Sequence, residues 1–335
     1  MKQPNLIITT APHLRQTRTT TQIMYEVILA LVPSIIFALY YFGITALILI
    51  ATTSLVALGT EWLFSANKKK IGTLTDGSAL LTGILLALTL PPSIPLWMAV
   101  IGAFFAISLG KVAWGGLGFN MFNPALLGRA FLQAAFPESM TTWTETGRGF
   151  WHLSERTFTM PLMTPPVDAF SSASPLGLSK FEHVITDHGD LLWGNISGCL
   201  GETSAVAILI GAAFLLIRRS CDWRLMVSTI LTVALFSGGL HYFIPKCPDP
   251  LFMVLSGGIL FGAVYMVTDP VTTPLTSKGM WIFGIGVGFL VVLIRVYGGL
   301  PEGVMFSILF MNALTPLINR FTLPVQFGGK KGGPS

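Results

Sequence analysis

The stretch IMYEVILALVPSIIFALYYFGITALILIATTSLVALGTEWLF, residues 23–64, decides the class of fold. It divides at Gly43 into two apolar runs, 23–42 and 44–64. A helix rises about 1.5 Å per residue, so either run, once helical, crosses a hydrocarbon layer about 30 Å thick. Runs of the same kind follow at approximately 78–91, 94–110, 121–136, 203–217, 225–243, 251–267, 280–297 and 303–319. Composition agrees. Of 335 residues, 52% are hydrophobic and only 10% are charged, with a mean hydropathy of +0.71. A soluble domain carries about 25% charged residues, so this chain lacks the charge to cover a large water-facing surface. The expectation is an all-α polytopic membrane protein with about ten transmembrane helices.

Lysine and arginine set the orientation. With the N-terminus in the cytoplasm, Lys68, Lys69, Lys70, Lys111, Arg218, Arg219, Arg224, Lys278, Arg320, Lys330 and Lys331 fall inside, and Arg148, Arg156, Lys180 and Lys246 fall outside. That bias follows the positive-inside rule, and the opposite orientation reverses it. The net charge of +5 is accounted for in this way, without nucleic acid. The first 22 residues include Lys2, Arg15 and Arg18 and show no cleavable apolar core. One long outer segment, 137–200, holds Glu138, Glu145, Glu155, Asp168, Glu182, Asp187 and Asp190. Its stretch 164–175 is rich in Pro, Ser and Ala and reads as irregular. The segment reads either as a partly ordered loop able to contact a partner or as a solvated linker.

A faint repeat runs through the chain. Gly115-Gly116-Leu117, Phe122-Asn123-Pro124 and Arg129 find echoes in Gly298-Gly299-Leu300, Met311-Asn312, Pro316 and Arg320. Thr82-Gly83-Ile84-Leu85 resembles Gly257-Gly258-Ile259-Leu260, and both spans run out at a proline, Pro91 or Pro270. Five spans per repeat force the halves into opposite orientations, an inverted 5+5 repeat with sites at the interface; chance similarity in Gly-rich apolar sequence is the competing account. The expected organisation is a cytoplasmic segment 1–22, a first five-helix repeat 23–136, the outer loop 137–200, a second repeat 201–320 and a cytoplasmic tail 321–335.

Ionisable residues at membrane depth are costly and therefore informative. Glu26, Arg129, Glu202, Asp269 and Arg295 qualify. For Glu26, Asp269 and Arg295 the plain alternative is an interfacial side chain that snorkels to headgroups. Arg129 lies deeper, which favours helix packing or anion binding. Arg129 and Asp269 are candidates for a flavin or ion site. In Gly201-Glu202-Thr203-Ser204-Ala205 an irregular segment enters a helix. A helix N-terminus favours phosphate, Gly201 admits close approach of another group, and Thr203 offers a hydroxyl for esterification. The plain alternative is that Thr203 or Ser204 is an N-cap. Walker A, G-x-G-x-x-G, H-E-x-x-H and G-x-S-x-G patterns are missing. Cys199, Cys221 and Cys247 form no C-x-x-C pair, which argues against a zinc or iron–sulfur site held by this chain. They read as isolated thiols, with a Cys199–Cys247 disulfide as the alternative.

Several motifs carry a family resemblance. Pro248-Asp249-Pro250-Leu251-Phe252, Leu255-Ser256-Gly257-Gly258, Thr268-Asp269-Pro270-Val271-Thr272, Phe122-Asn123-Pro124-Ala125, Gly128-Arg129-Ala130-Phe131 and Gly201-Glu202-Thr203-Ser204-Ala205 together resemble the D subunit of the Rnf electron-transport complex. The related family is the B subunit of the sodium-pumping NADH:quinone reductase. In both, a threonine before a membrane helix carries FMN through a phosphoester, in the pattern Ser/Thr-Gly-Ala-Thr. Here the matching positions are Leu200-Gly201-Glu202-Thr203: Gly201 and Thr203 agree, Leu200 and Glu202 depart.

The resemblance implies a multi-pass subunit of the cell (inner or cytoplasmic) membrane in an ion-translocating oxidoreductase. Electron transfer between ferredoxin and NAD would be coupled to Na+ or H+ transport. It implies covalent FMN at Thr203, with Gly201 and Ser204 near it, and a second flavin such as riboflavin. It further implies partner subunits in the membrane and at its surface, including an outer-side subunit with its own covalent flavin. No catalytic acid or base is required of this chain. A quinone reductase component resembling the B subunit is the nearest alternative. A non-redox channel or transporter on the same scaffold is the reading of a different class.

Overall fold

The computed structural model describes residues 19–65, 74–144, 146–147, 149–151, 153–161, 163, 171–244 and 247–324. Lys2, Arg15, Arg18, Lys68, Lys69, Lys70, Glu145, Arg148, Asp168, Lys246, Lys330 and Lys331, and with them part of the charge bookkeeping, lie outside the described residues. The chain is a helical membrane protein. We number its main helices α1 Thr20–Phe42, α2 Ile44–Phe64, α3 Ser78–Leu88, α4 Leu96–Gly110, α5 Pro124–Ala135, α6 Ala205–Arg218, α7 Trp223–Phe243, α8 Pro250–Leu255, α9 Ser277–Tyr297 and α10 Val304–Thr322. Among the described residues six helices are long and apolar enough to cross a membrane: α1, α2, α4 with its extension to Trp114, α7, α9 and α10. Helices α3 and α6 are apolar but shorter.

Local chemistry explains where these helices start. Thr19 and Gln22 close a capping box on α1. Asn123 accepts from the backbone N–H of Ala125 and Leu126 and is followed by Pro124, whose missing N–H costs nothing at a first turn. Asp222, Asp249 and Thr276 cap α7, α8 and α9. The helices then pack through small residues. A Cβ on Gly83 of α3 would lie 2.6 Å from Ser54 Cα of α2. One on Gly211 of α6 would collide with the Tyr265 hydroxyl and with the Ala30 carbonyl of α1. Lipid offers no hydrophobic drive for helix association, so such close approach is what holds spans together. Helix α1 packs on α6, α2 on α3 and α4, α4 on α5, α7 on α8 and α9, and α9 on α10.

The reading of 251–267 as one span needs correction. Helix α8 stops at Leu255, Gly257 takes φ 63°, and helical turns resume only at Ile259–Met266, partly as π-helix. Arg295 of α9 fills the break: its guanidinium donates to the carbonyls of Met253 at 2.5 Å and Ser256 at 3.0 Å. Arg295 is therefore an interior residue, 4% exposed, and no headgroup snorkel. Helix α3 likewise ends at Leu88, before Pro91. The paired motifs sit in unlike places. Asn123 caps the start of α5 whereas Asn312 lies in the middle of α10, and Gly83 is mid-helix whereas Gly257 and Gly258 form a break.

The long segment after α5 is packed against one end of the bundle, hereafter the loop end, and is no solvated linker over its described length. Trp143–Thr144 pairs antiparallel with Ser171–Ser172. The Ile44 N–H donates to the Phe150 carbonyl, Tyr41 to Trp193 and Ser93 to Thr142. The Lys180 ammonium donates to the carbonyls of Arg295, Gly298 and Leu300 at 2.5–3.0 Å, closing the C-terminus of α9. Burial pushes the Lys180 ammonium below the usual lysine range. At the opposite end Glu26 of α1 takes Arg218 of α6 at 2.6 Å and the Ser220 hydroxyl, so Glu26 too is paired within the protein.

Candidate functional site

Segment 194–204 enters the bundle from the loop end. The N–H of Leu200 donates to the Leu90 carbonyl and that of Gly201 to the Leu88 carbonyl, 2.7 Å away, so the segment takes up acceptors freed where α3 stops. Gly201 is glycine because a Cβ there would lie 2.7 Å from Leu88 Cβ and 2.9 Å from Phe261. The close approach it permits is to protein. Ser204, and not Thr203, is the N-cap of α6, its Oγ accepting from the Ala207 N–H at 3.3 Å. Thr203 stands one residue earlier, 1% exposed, with Gly194 packed against its backbone.

Glu202 points into a buried ionic cluster. Arg129 of α5 donates through Nη1 to Glu202 Oε1 at 3.2 Å, and through Nη2 to Glu302 Oε2 at 2.7 Å and Cys199 Sγ at 3.5 Å. The other oxygen of Glu302 accepts from the Gly258 N–H at 3.0 Å. A Cβ on Gly258 would collide with Glu202 Oε1 and lie 2.7 Å from Glu302 Oε1, so only glycine lets both carboxylates converge there. Donor atoms of Cys199, Glu202 and Glu302 lie within 4.8 Å of one another. The Arg129 guanidinium already supplies their positive charge. All three cysteines are free. Arg129 thus faces the protein interior, joining segments 73 and 173 residues away in sequence. Glu302 was invisible to span-by-span reading because it sits in a short turn between two apolar runs.

A cavity of about 660 Å3 opens beside this cluster, with Arg129, Trp143, Ser174, Phe181, Glu302 and Phe306 among its walls. A smaller cavity shares Trp143, Ser174 and Glu302 and reaches Glu202. Asp269 is elsewhere. It accepts from the Val271 N–H and the Thr272 hydroxyl and lines a cavity of about 50 Å3 at the opposite end, together with Ser78, Lys111, Asn123 and Ser220. That space suits a few waters. Beside it Lys111, read from sequence only as an inside charge, is 4% exposed and paired with Glu61 at 2.6 Å and Ser78 at 2.5 Å. An acidic residue inside an apolar run was the available signal for Glu61. Arg129 and Asp269 are therefore not brought together.

Known proteins share this chain almost end to end. A profile described as the NQR2, RnfD, RnfE family matches residues 7–328. The chain is 40% identical to the D subunit of the proton-translocating ferredoxin:NAD(+) oxidoreductase complex of Clostridium ljungdahlii, over 99% of this chain and 98% of the relative. It is 39% identical to the D subunit of the Na(+)-translocating ferredoxin:NAD(+) oxidoreductase complex of Acetobacterium woodii, with the same coverage. It is 40% identical to the D subunit of the ion-translocating oxidoreductase complex of Stutzerimonas stutzeri, over 93% of each chain.

Proposed function

This chain belongs to the NQR2, RnfD, RnfE family, and from that premise we propose that it is the multi-pass D subunit of an ion-translocating ferredoxin:NAD oxidoreductase in the cytoplasmic membrane. The observation that carries this is near-full-length identity of about 40% to subunits of that description. It works as one redox-active part of a multi-subunit translocase. Relatives are described with proton and with sodium transport, and either ion fits here.

The proposed architecture is ten crossings in two inverted sets of five, with 1–22 and 321–335 in the cytoplasm and 137–200 outside. Its support is the packing. Helix α2 on α4 matches α7 on α9, α4 on α5 matches α9 on α10, α2 on α3 matches α7 on α8, and α1 meets α6 between the sets. The motif echoes in sequence do not support it, because they fall at unlike positions.

Thr203 is the proposed attachment point of FMN, with Gly201 and Ser204 beside it. Three things favour it: the match of Gly201 and Thr203 to the family pattern, the start of α6 just after Ser204, and the smaller cavity that the adjoining Glu202 lines together with Trp143. Arg129 neutralises Glu202, the departure from pattern that would otherwise repel a phosphate. Since Thr203 is buried, its hydroxyl must be esterified while segment 194–204 is open. The bound flavin would supply one- and two-electron redox chemistry; the residues here position it, exclude water and set the charge around it. An outer-side flavin subunit is the proposed partner. A second flavin such as riboflavin, and an ion site at Asp269, belong to the same reading.

The test is mass spectrometry of the peptide bearing Thr203 and Ser204, from protein made with the flavin-attaching enzyme. We expect added mass of FMN less one water on Thr203, and none in Thr203→Ala. An unmodified wild-type peptide would remove covalent flavin from this subunit.

A further inference from the structure

We propose that Arg129 is a positioning residue for the attachment segment: clamped between Glu202 and Glu302, its guanidinium holds 199–204 in place and sets the sign of the charge beside Thr203. The charge-setting half rests on the reading of Thr203 as the flavin site; the holding half does not. Arg129 is 7% exposed and lies on α5, in the first half of the bundle. Both its carboxylate partners lie in the second half, one immediately before Thr203 and one before α10. Breaking such a pair leaves a buried carboxylate uncompensated, which is far more costly than the net worth of the pair. An apolar contact would hold the helices more cheaply, so the cluster calls for a reason beyond packing.

The local charge count gives that reason. Two carboxyl groups, Glu202 and Glu302, face the one guanidinium of Arg129, with Arg295 beyond the Gly257 backbone. A phosphoester on Thr203 adds further negative charge at the residue next to Glu202. In a site with little water these charges act strongly on one another. Arg129 is the cation in direct contact with Glu202 and thus the one that makes the added charge tolerable. Reducing a flavin adds negative charge. Removing the Arg129 cation therefore disfavours reduction, and removing the Glu202 carboxylate favours it.

The experiment compares Arg129→Gln, Glu202→Gln and Arg129→Lys in the assembled complex with wild type. The midpoint potential of the flavin on Thr203 should move negative in Arg129→Gln, positive in Glu202→Gln, and return toward wild type in Arg129→Lys. Shifts of one sign in the first two, or no shift in either, overturn the charge-setting role while the attachment reading stands. Should wild type carry no flavin on Thr203, the attachment reading and the charge-setting role fall together. Amide exchange across 199–204 tests the holding role in the flavin-free Thr203→Val chain. There Arg129→Gln should speed exchange by about tenfold or more, as loss of a charged hydrogen bond implies. Unchanged exchange overturns it. If Arg129→Gln fails to fold, Glu202→Gln, which keeps the Arg129–Glu302 pair, carries both measurements: a positive shift supports the charge-setting role and faster exchange the holding role, and the absence of either effect overturns the role it tests.

Discussion

A charged side chain inside a membrane protein must answer for its desolvation, and Arg295 answers through the backbone. It donates to two carbonyls that the break after α8 leaves without helical partners. Arg295→Met should therefore lower stability by about 2–4 kcal/mol, since the carbonyls stay buried and unpaired. Thermal unfolding in detergent measures this, and Arg295→Lys should recover part of the loss. Asn312 is the opposite case. Both polar atoms of its buried amide lack a partner among the described residues. Asn312→Leu should raise the unfolding temperature, because it removes an unsatisfied group worth about 1–3 kcal/mol; a more stable protein with impaired electron transfer would assign the amide a functional role. Sequence reading selected Glu26, Arg129, Glu202, Asp269 and Arg295 on cost alone; Asp269 is half-buried and bonded within its own turn, and the other four proved to be buried and paired across the fold. It did not supply the partners: Arg218 lies 192 residues from Glu26, and Glu302 lies 173 from Arg129. Pairing across such distances is a property of the fold, absent from any local window.

At the scale of elements, the long spans were legible because length and hydropathy suffice to mark them. The breaks were half legible. Prolines announced the end of α3 and the turn at Asp269, but the interruption at Ser256-Gly257-Gly258 passed as apolar sequence. Its cause is Arg295, from another helix, which lets the backbone leave its own ladder. Contact glycines show the same division. Gly83 looks like any glycine in an apolar run, yet it lets the α3 backbone meet that of α2 around Ser54. The contact is backbone to backbone, so no rotamer change relieves a larger residue. Gly83→Val should cost about 1–3 kcal/mol by overpacking, read as a lower unfolding midpoint. Gly59, where a Cβ would meet no described atom within 4 Å, should accept alanine without loss.

For the whole molecule, alternation of ends is the decisive property. Contacts place the α1–α2 turn, the described part of segment 137–203, the start of α8 and the end of α9 together: Phe150 with Ile44, His188 with Asp249, and Lys180 with Gly298. They place Glu26 with Arg218, Tyr25 with Thr75, Arg224 with Ser277 and Leu275 with Asn319 at the opposite end. These two sets lie at opposite ends of the bundle, and the proposed topology puts them on opposite sides of the layer. The positive charge decides which side is which. Arg218, Arg219, Arg224, Lys278 and Arg320 gather at the end opposite the loop, and the proposed orientation, with the loop outside, rests on that bias. In a cysteine-free background, single cysteines at Glu138 and Lys278, both exposed, report the two ends. An impermeant thiol reagent on intact cells should label the Glu138 position and leave the Lys278 position untouched until the membrane is opened. Labelling in the reverse pattern would invert the molecule and move Thr203 to the cytoplasmic face. Labelling of both in intact cells would mean that the contacts grouped here do not mark opposite sides, and the inverted 5+5 arrangement would fall with them.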